Sequence, residues 1–327
     1  METDKNIGKG IIKNGISIFL LEAFKMPELC LGTVQFGMKY GINNQIGRQP
    51  SWEESFSMLD YALGNDICVI DTAAAYGEAE QILGSYIKKR GYGQRVKIIS
   101  KLKPNIIEKG CITKKIVTNE CKGSLERLSI DCLDGYLLHT PEYIYNEEII
   151  SALMLLKKDG YVKNIGVSIY GLEEGYAAIN TGVMDYIQLP YSILDQRGIK
   201  EGFISAAKEA GVKIFTRSAF LQGLFMMDME ILPGYLKNAV PYLDLIEEIL
   251  GKYGVDKVSV ILAFVQHEKD IDYLVFGVEK KEQLEENIFK SKHGDVPEEC
   301  IQELKNKING VSQSVIFPSL WSDGKKA

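Results

Sequence analysis

Short apolar segments alternate with longer amphipathic segments from about residue 29 onward, and this alternation restricts the fold more than any other feature of the chain. Short runs rich in Val and Ile are typical of buried strands, and apolar residues three and four positions apart are typical of helices. The predicted strands are Leu29–Thr33, Ile67–Asp71, Val96–Lys101, Leu133–His139, Asn164–Ser168, Tyr186–Leu189, Lys213–Thr216 and Tyr273–Phe276. Strands that alternate with helices predict an α/β protein with a parallel sheet.

The helical segments complete a series of eight strand-helix units. The predicted helices begin near Trp52, Glu78, Thr113, Asn146, Leu172, Ile199, Pro241 and Lys280. No Pro-, Gly- or Ser-rich linker interrupts the series, so we predict a single closed (β/α)8 TIM barrel. A doubly wound open sheet is the alternative, but it normally carries a glycine fingerprint in its first turn, and the glycines of residues 32–37 do not have that spacing.

Segments outside the eight units give the expected domain limits. Residues 1–26 are an N-terminal extension, residues 27–310 form the barrel and residues 311–327 are a C-terminal tail. A longer path between Phe215 and Val258 predicts a loop and an additional helix after the seventh strand. Glu298–Ile308 is predicted to be a C-terminal helix, and the end of the tail is expected to be disordered.

Composition narrows the classes of partner. A formal charge of −6 provides no basic surface for nucleic acid, and the apolar run Ile16–Leu21 is too short to cross a membrane. Six scattered cysteines indicate free thiols in a reducing cytoplasm. With three histidines and no metal-binding motif, no metal is expected. A small molecule is therefore the predicted partner.

Four polar residues follow three neighbouring strands. Asp71 ends the second predicted strand and Tyr76 follows it, while Lys101 and His139 end the third and fourth. Because the carboxyl ends of barrel strands meet at one rim, we expect the four side chains to converge. Hydride delivery to a carbonyl carbon builds negative charge on oxygen, which needs a proton donor. Tyr76 is the predicted donor, with its pKa lowered by Lys101.

In the same scheme Asp71 holds Lys101 charged and oriented, and His139 orients the carbonyl group. The stretch Asp71-Thr72-Ala73-x-x-Tyr76-Gly77 resembles the signature of the aldo-keto reductases, and the similarity extends from about Leu29 to Asn287. The resemblance implies that the four residues are the catalytic tetrad of that family, with Tyr76 as general acid and base.

A second stretch, Gly277 to Asn287, resembles the segment with which this family binds the phosphate and adenine of NADP. The resemblance implies that Ser168 and Gln188 hold the nicotinamide amide, and that Arg217 occupies the place of a stacking tyrosine. The predicted coenzyme-binding residues are Thr33, Ser168, Gln188, Arg217, Ser218, Phe220, Gln222, Gly277, Val278, Glu279, Gln283, Glu286 and Asn287.

The chain also departs from the family pattern. Ile169 replaces an asparagine, Val278 replaces a serine and Gln283 replaces an arginine that often binds the adenosine 2′-phosphate. The carboxylate of Glu279 is suited to an unphosphorylated ribose hydroxyl. The choice between NADP and NAD therefore stays open at this stage.

The predicted function is hydride transfer between a nicotinamide coenzyme and an aldehyde, ketone or sugar-like compound or its alcohol. Predicted specificity loops are residues 35–49, 143–146 and 220–233, with Phe36, Tyr40, Asn43 and Phe225 suited to a polar carbonyl compound. Two alternatives stay open. One is a nucleotide-binding regulatory barrel with negligible turnover, and the other is a Schiff-base aldolase or lyase with Lys101 as nucleophile. Reaction direction and oligomeric state are not specified by these motifs.

Overall fold

The computed structural model describes residues 26–107 and 113–321, and these residues form a closed barrel of eight parallel strands. The strands are β1 (Glu28–Gly32), β2 (Val69–Asp71), β3 (Lys97–Leu102), β4 (Gly135–Leu138), β5 (Ile165–Ser168), β6 (Tyr186–Pro190), β7 (Lys213–Arg217) and β8 (Tyr273–Gly277). Each strand pairs with the next in sequence, and β1 also pairs with β8, which closes the barrel.

Helices surround the barrel. They are α1 (Val34–Gly37), α2 (Trp52–Gly64), α3 (Ala79–Arg90), α4 (Thr113–Leu128), α5 (Glu147–Lys158), α6 (Leu172–Asn180), α7 (Arg197–Lys200), α8 (Phe203–Glu209), α9 (Val240–Tyr253), α10 (Lys257–Gln266), α11 (Lys281–His293), α12 (Glu298–Lys307) and α13 (Gln313–Ile316). Short 3-10 helices are Pro141–Tyr145, Leu221–Met226, Met229–Ile231, Gly234–Ala239 and Pro318–Leu320. Within the part of the chain that the structure describes, no helix combines the length and the apolar character needed to cross a bilayer.

Two hydrophobic cores flank the strands. The larger core lies between strands and helices, and a smaller one fills the barrel interior with Cys30, Val69, Ile99, Leu137, Tyr186, Phe215, Tyr273 and Val275. Side chains alternate between the two faces of a strand. Asp71, Lys101 and His139 each lie two positions beyond an interior residue, so the alternation directs all three into the barrel.

The (β/α)8 barrel expected from the sequence is confirmed, with strand ends within two residues of those predicted. The helix expected to begin near Ile199 is divided in two. The short α7 begins at Arg197, two residues earlier, and α8 begins at Phe203, because Gly202 adopts a left-handed φ of 73° that interrupts the helix. After β7 the chain forms a loop of 3-10 turns and then both α9 and α10.

The chain ends are only partly described. Of the predicted extension, only Met26 is among the described residues. The last six residues of the predicted tail and Cys111 also lie outside them. The first part of that tail is folded, since Val315, Ile316 and Trp321 are buried. The other five cysteines are free thiols.

Candidate active site

A buried ion pair lies inside the barrel at the carboxyl ends of β2 and β3. Lys101 Nζ donates to both carboxylate oxygens of Asp71, at 2.7 and 2.8 Å, and to the carbonyl oxygen of Thr72 at 2.9 Å. Both side chains are almost fully buried. Burial alone would lower the pKa of Lys101, but the charge and hydrogen bonds of Asp71, with those of Tyr76, raise it above its usual value. Lys101 is therefore an ammonium ion and not a free amine, which disfavours the Schiff-base alternative.

Tyr76 lies on the loop after β2, and two glycines fix that loop. A Cβ atom on Gly37 would lie 1.6 Å from the carbonyl oxygen of Tyr76. A Cβ atom on Gly77, whose φ is 52°, would lie 2.1 Å from the carbonyl oxygen of Gly37. The backbone of α1 therefore contacts the Tyr76 loop directly, and only glycine fits at either position.

The Tyr76 hydroxyl oxygen accepts a hydrogen bond from Lys101 Nζ at 3.4 Å. Lys101 lowers the pKa of Tyr76, as the sequence predicted, but the net shift of this pKa is upward. Burial raises the pKa of Tyr76 and outweighs the opposing charges of Lys101 and Arg217. Because Lys101 donates to the phenol oxygen, the phenolic proton is available to an acceptor in the adjoining cavity.

His139 stands edge-on to Tyr76, with ring centroids 5.8 Å apart and the ring planes at 86°. Burial and the positive charges of Lys101 and Arg217 lower the pKa of His139 to about 3. Its Nδ1 atom is buried and has no hydrogen-bond partner among the described residues. At neutral pH His139 is therefore an uncharged imidazole beside the phenol.

Gln188 on β6 connects the ion pair to β5. Its Nε2 atom donates to Asp71 Oδ1 at 2.7 Å, and Ser168 Oγ donates to its Oε1 atom at 3.4 Å. Both residues line the cavity described next. Gln188 thus orients the carboxylate that orients Lys101, a contact between residues 117 positions apart in the chain.

A cavity of about 560 Å³ extends across this end of the barrel. Asp71, Tyr76 and His139 line it, while Lys101 lies just beneath its wall. Every residue predicted to bind coenzyme lines the same cavity: Thr33, Ser168, Gln188, Arg217, Ser218, Phe220, Gln222, Gly277, Val278, Glu279, Gln283, Glu286 and Asn287. Residues at the ends of seven of the eight strands, all but β3, thus line one surface.

We call the lining residues between 277 and 287 the α11 end of the cavity, because they lie at and just before the amino terminus of α11. Its N-cap residue, Lys280, has no side-chain capping bond. The backbone N–H groups of a first helical turn without such a cap suit an anion. A phosphate group is therefore compatible with this end of the cavity, and Tyr76 lines the same cavity.

Glu279 links the two edges of the cavity beside α11. Its Oε1 atom accepts from the backbone N–H of Gln45 at 2.9 Å and from Gln283 Nε2 at 3.2 Å. Lys280 Nζ donates to the Gln45 side chain at 3.2 Å. These contacts join the loop after β1 to the loop after β8 and hold the Glu279 carboxylate in place.

Arg217 is the last residue of β7 and is partly buried. Its guanidinium stacks on Tyr170 at 4.1 Å and donates to the carbonyl oxygen of Ile169 at 3.0 Å and to Ser218 Oγ at 3.2 Å. Two departures from the family pattern, Ile169 and Arg217, are therefore in direct contact.

Gln35 and Gln45 line the cavity and lie in the predicted specificity loop 35–49, although neither was singled out as a binding residue. Tyr170 also lines the cavity and was not predicted, and its only sequence signal is its position just after the fifth strand. Tyr40 and Asn43 line the cavity as the loop assignment suggested. Phe36 and Phe225 do not, because both are buried in the core between strands and helices.

The match to known proteins covers the barrel. The model of the aldo/keto reductase family matches residues 28–309. The chain belongs to the aldo/keto reductase family. It is thus an NAD(P)-dependent oxidoreductase of the class whose members act on small-molecule carbonyl compounds.

Among relatives of this aldo/keto reductase is the NADH-specific methylglyoxal reductase of Escherichia coli, which is 25% identical over 306 residues and aligned over 80% of this chain and 93% of its own. The aldo-keto reductase str7 of Strobilurus tenacellus is 27% identical, with 81% and 85% coverage. The holo form of an aldo-keto reductase from Bacillus halodurans has the same fold, with a TM-score of 0.70 at 22% identity and coverage of 89% and 95%.

Proposed function

We propose that this aldo/keto reductase interconverts the carbonyl group of an aldehyde, ketone or sugar-like compound with the alcohol, and that Tyr76 is the general acid and base. The observation that carries the proposal is the contact between the Tyr76 hydroxyl and Lys101 Nζ at the wall of the cavity. A nicotinamide coenzyme supplies or accepts the hydride when bound. The remaining chemistry is proton transfer and charge stabilisation by residues of the chain.

In reduction, the Tyr76 O–H donates its proton to the carbonyl oxygen as negative charge develops there. Lys101 stabilises the resulting phenolate, and the Asp71 carboxylate keeps Lys101 charged and directed at the phenol oxygen. The uncharged imidazole of His139 orients the carbonyl oxygen without competing for its proton. In oxidation the same groups act in reverse, with the phenolate as the base.

The raised pKa of Tyr76 predicts a difference in pH dependence between the two directions. The phenol is protonated at neutral pH, so we expect kcat for reduction to be flat between about pH 6 and 9. Oxidation requires the phenolate. Below the pKa of Tyr76, each rise of one pH unit makes the phenolate about tenfold more abundant, so kcat for oxidation should rise over the same range. His139 adds no step, because its pKa is about 3. Steady-state rates in both directions across buffers of constant ionic strength test this, and a bell-shaped reduction profile centred near pH 7 would contradict it.

NAD is the coenzyme that the α11 end of the cavity suits better. The lining between residues 277 and 287 contains Glu279, Glu282 and Glu286 but a single cation, Lys280. A carboxylate accepts a hydrogen bond from a ribose 2′-hydroxyl, whereas it repels a 2′-phosphate. The relative from Escherichia coli that is named as NADH-specific agrees with this preference.

We expect NADH to bind at least about tenfold more tightly than NADPH, which is the effect of one hydrogen bond to a charged group. Glu279→Gln should reduce this ratio about tenfold, because glutamine keeps the shape of the side chain and the contact to Gln45 without the charge. Glu285→Gln is the matched control, since Glu285 lies on α11 but does not line the cavity. Coenzyme fluorescence titrations give all the dissociation constants, and a tighter NADPH complex in the unmodified protein would contradict the preference.

The proposed activity is tested by nicotinamide absorbance with a panel of aldehydes, ketones and sugars and with both coenzymes. We expect some members of the panel to be reduced while NADH is oxidised. Tight coenzyme binding without turnover of any member would instead support the regulatory barrel. The contact between Ile169 and Arg217, two departures from the family pattern, is the feature that motivates this second candidate.

A further inference from the structure

Arg217 carries a positive charge into the cavity, and no carboxylate in the described part of the chain neutralises it. It takes part in no ion pair with any other described residue. The partly buried arginines Arg127 and Arg197, by contrast, are paired with Glu80 and Asp195. A partly buried cation without a counter-ion is costly, so a site that keeps one is suited to an anion from outside the chain.

The guanidinium of Arg217 is held in one orientation. Tyr170 covers one face at 4.1 Å, while one edge donates to the Ile169 carbonyl oxygen and to Ser218 Oγ. Ser218 has a left-handed φ of 66°, which is unusual for a residue with a side chain and is often retained at functional sites. Of the five guanidinium N–H groups, those two contacts use two, so three are left for an external acceptor.

The charge balance of the cavity places the uncompensated cation near the reacting groups. Asp71 and Lys101 neutralise each other. Tyr76 and His139 are uncharged at neutral pH, and the charge of Arg217 contributes to the lowered pKa of His139. The acidic residues Glu279, Glu282 and Glu286 belong to the α11 end of the cavity, together with Lys280. Arg217 acts electrostatically on both Tyr76 and His139, so an anionic group is attracted to the part of the cavity that these three residues line.

We infer that the substrate carries an anionic group, a carboxylate or a phosphate, which the free N–H groups of Arg217 bind while the carbonyl group lies at Tyr76. This inference rests on the proposed function and adds the substrate class to it. Arginine suits the role because its planar fork forms two parallel hydrogen bonds to either group. Tyr40 is a second donor in the same cavity, since its oxygen accepts from Gln222 Nε2 at 3.0 Å and its O–H is left free.

Matched substrate pairs test the inference. Succinic semialdehyde and butanal differ by a carboxylate, and glyceraldehyde 3-phosphate and glyceraldehyde differ by a phosphate. At saturating NADH we expect kcat/KM to favour the anionic member of at least one pair by about tenfold or more, mostly through KM. The pair with the larger ratio identifies the carboxylate or the phosphate as the preferred group.

Variants of Arg217 test whether this residue causes the ratio of kcat/KM between the anionic and the neutral substrate. Arg217→Met should bring it close to one, and Arg217→Lys, which keeps the charge without the fork, should leave an intermediate value. Arg95→Met is the matched control. Like Arg217, Arg95 donates to a backbone carbonyl oxygen, stacks on a tyrosine and has no ion pair among the described residues. Unlike Arg217, it lies outside the cavity. It should leave the ratio unchanged. If Arg217→Met does not fold, Arg217→Lys decides. A ratio near one for both pairs in the unmodified protein, or a ratio unaffected in Arg217→Met, would overturn the inference.

A binding experiment separates this inference from the proposed function. If no carbonyl compound is turned over, the proposed function fails, and calorimetric titration of butyrate and of inorganic phosphate into the protein without coenzyme decides whether the anion site exists. We expect Arg217→Met to weaken at least one of these dissociation constants about tenfold or more. Equal constants in the unmodified protein and the variant would remove the site.

Discussion

Replacing Tyr76 with phenylalanine should lower kcat for carbonyl reduction by a factor of about 10² to 10⁴, the usual contribution of a positioned general acid. The variant loses the only group in the cavity wall that combines a phenolic proton with a hydrogen bond from a buried ammonium, as far as the described residues go. Stability should change little, because the lost contact is a single long hydrogen bond of 3.4 Å. The affinity for NADH should also be retained.

Tyr170→Phe is the control for this experiment. Tyr170 lines the same cavity, and the substitution removes a phenolic hydroxyl but leaves the ring on which Arg217 stacks. Rates are measured by nicotinamide absorbance under single-turnover conditions, so that product release does not conceal the chemical step. Turnover of Tyr76→Phe equal to that of the unmodified protein would eliminate Tyr76 as the proton donor.

The convergence of the four polar residues could be anticipated because it depends on two regular features of the chain. Strands of a parallel barrel end at the same rim, and side chains two positions apart point to the same face. Ile99 and Lys101 show the rule, since Ile99 packs inside the barrel and Lys101 reaches Asp71 from the same face. Such features need only local sequence patterns and the order of the strands.

Features that depend on loop conformation or on the balance of opposing energies could not be anticipated in the same way. The contact between Glu279 and Gln45 joins loops 234 residues apart, and no periodicity specifies it. The lowering effect of Lys101 on the pKa of Tyr76 was predicted correctly, because the lysine was visible in the sequence. The larger effect of burial, which raises this pKa overall, was not visible there. Phe36 and Phe225 were assigned to the pocket for a related reason, since a loop position does not show which way an aromatic ring points.

Two departures from the family pattern, Ile169 and Arg217, are in contact with each other. Ile169 buries its side chain and offers only its carbonyl oxygen, and that oxygen accepts a hydrogen bond from Arg217. An asparagine at 169 and a tyrosine at 217 would make neither the contact nor the charge. The carbonyl oxygen of residue 169 is a backbone group that either side chain would leave in place, so the positive charge of this part of the cavity comes from Arg217 alone.

Replacing Lys101 with methionine should both stop catalysis and destabilise the protein. The substitution leaves the carboxylate of Asp71 buried without its partner, and loss of one partner of a buried ion pair costs about 3–5 kcal/mol of the free energy of unfolding. Turnover should fall at least as far as in Tyr76→Phe, because the phenolate that forms in reduction loses its stabilising charge. Urea unfolding and single-turnover rates measure the two effects.

The double variant Asp71→Asn with Lys101→Met separates the two effects. Asparagine at position 71 still accepts the hydrogen bond from Gln188 but carries no charge, so most of the free energy of unfolding lost in Lys101→Met should return. Turnover should stay low, since restoring the packing does not restore the ammonium beside Tyr76. Recovery of activity together with stability would mean that the ion pair acts only as structural support, and Tyr76 would then need no charged neighbour to transfer its proton.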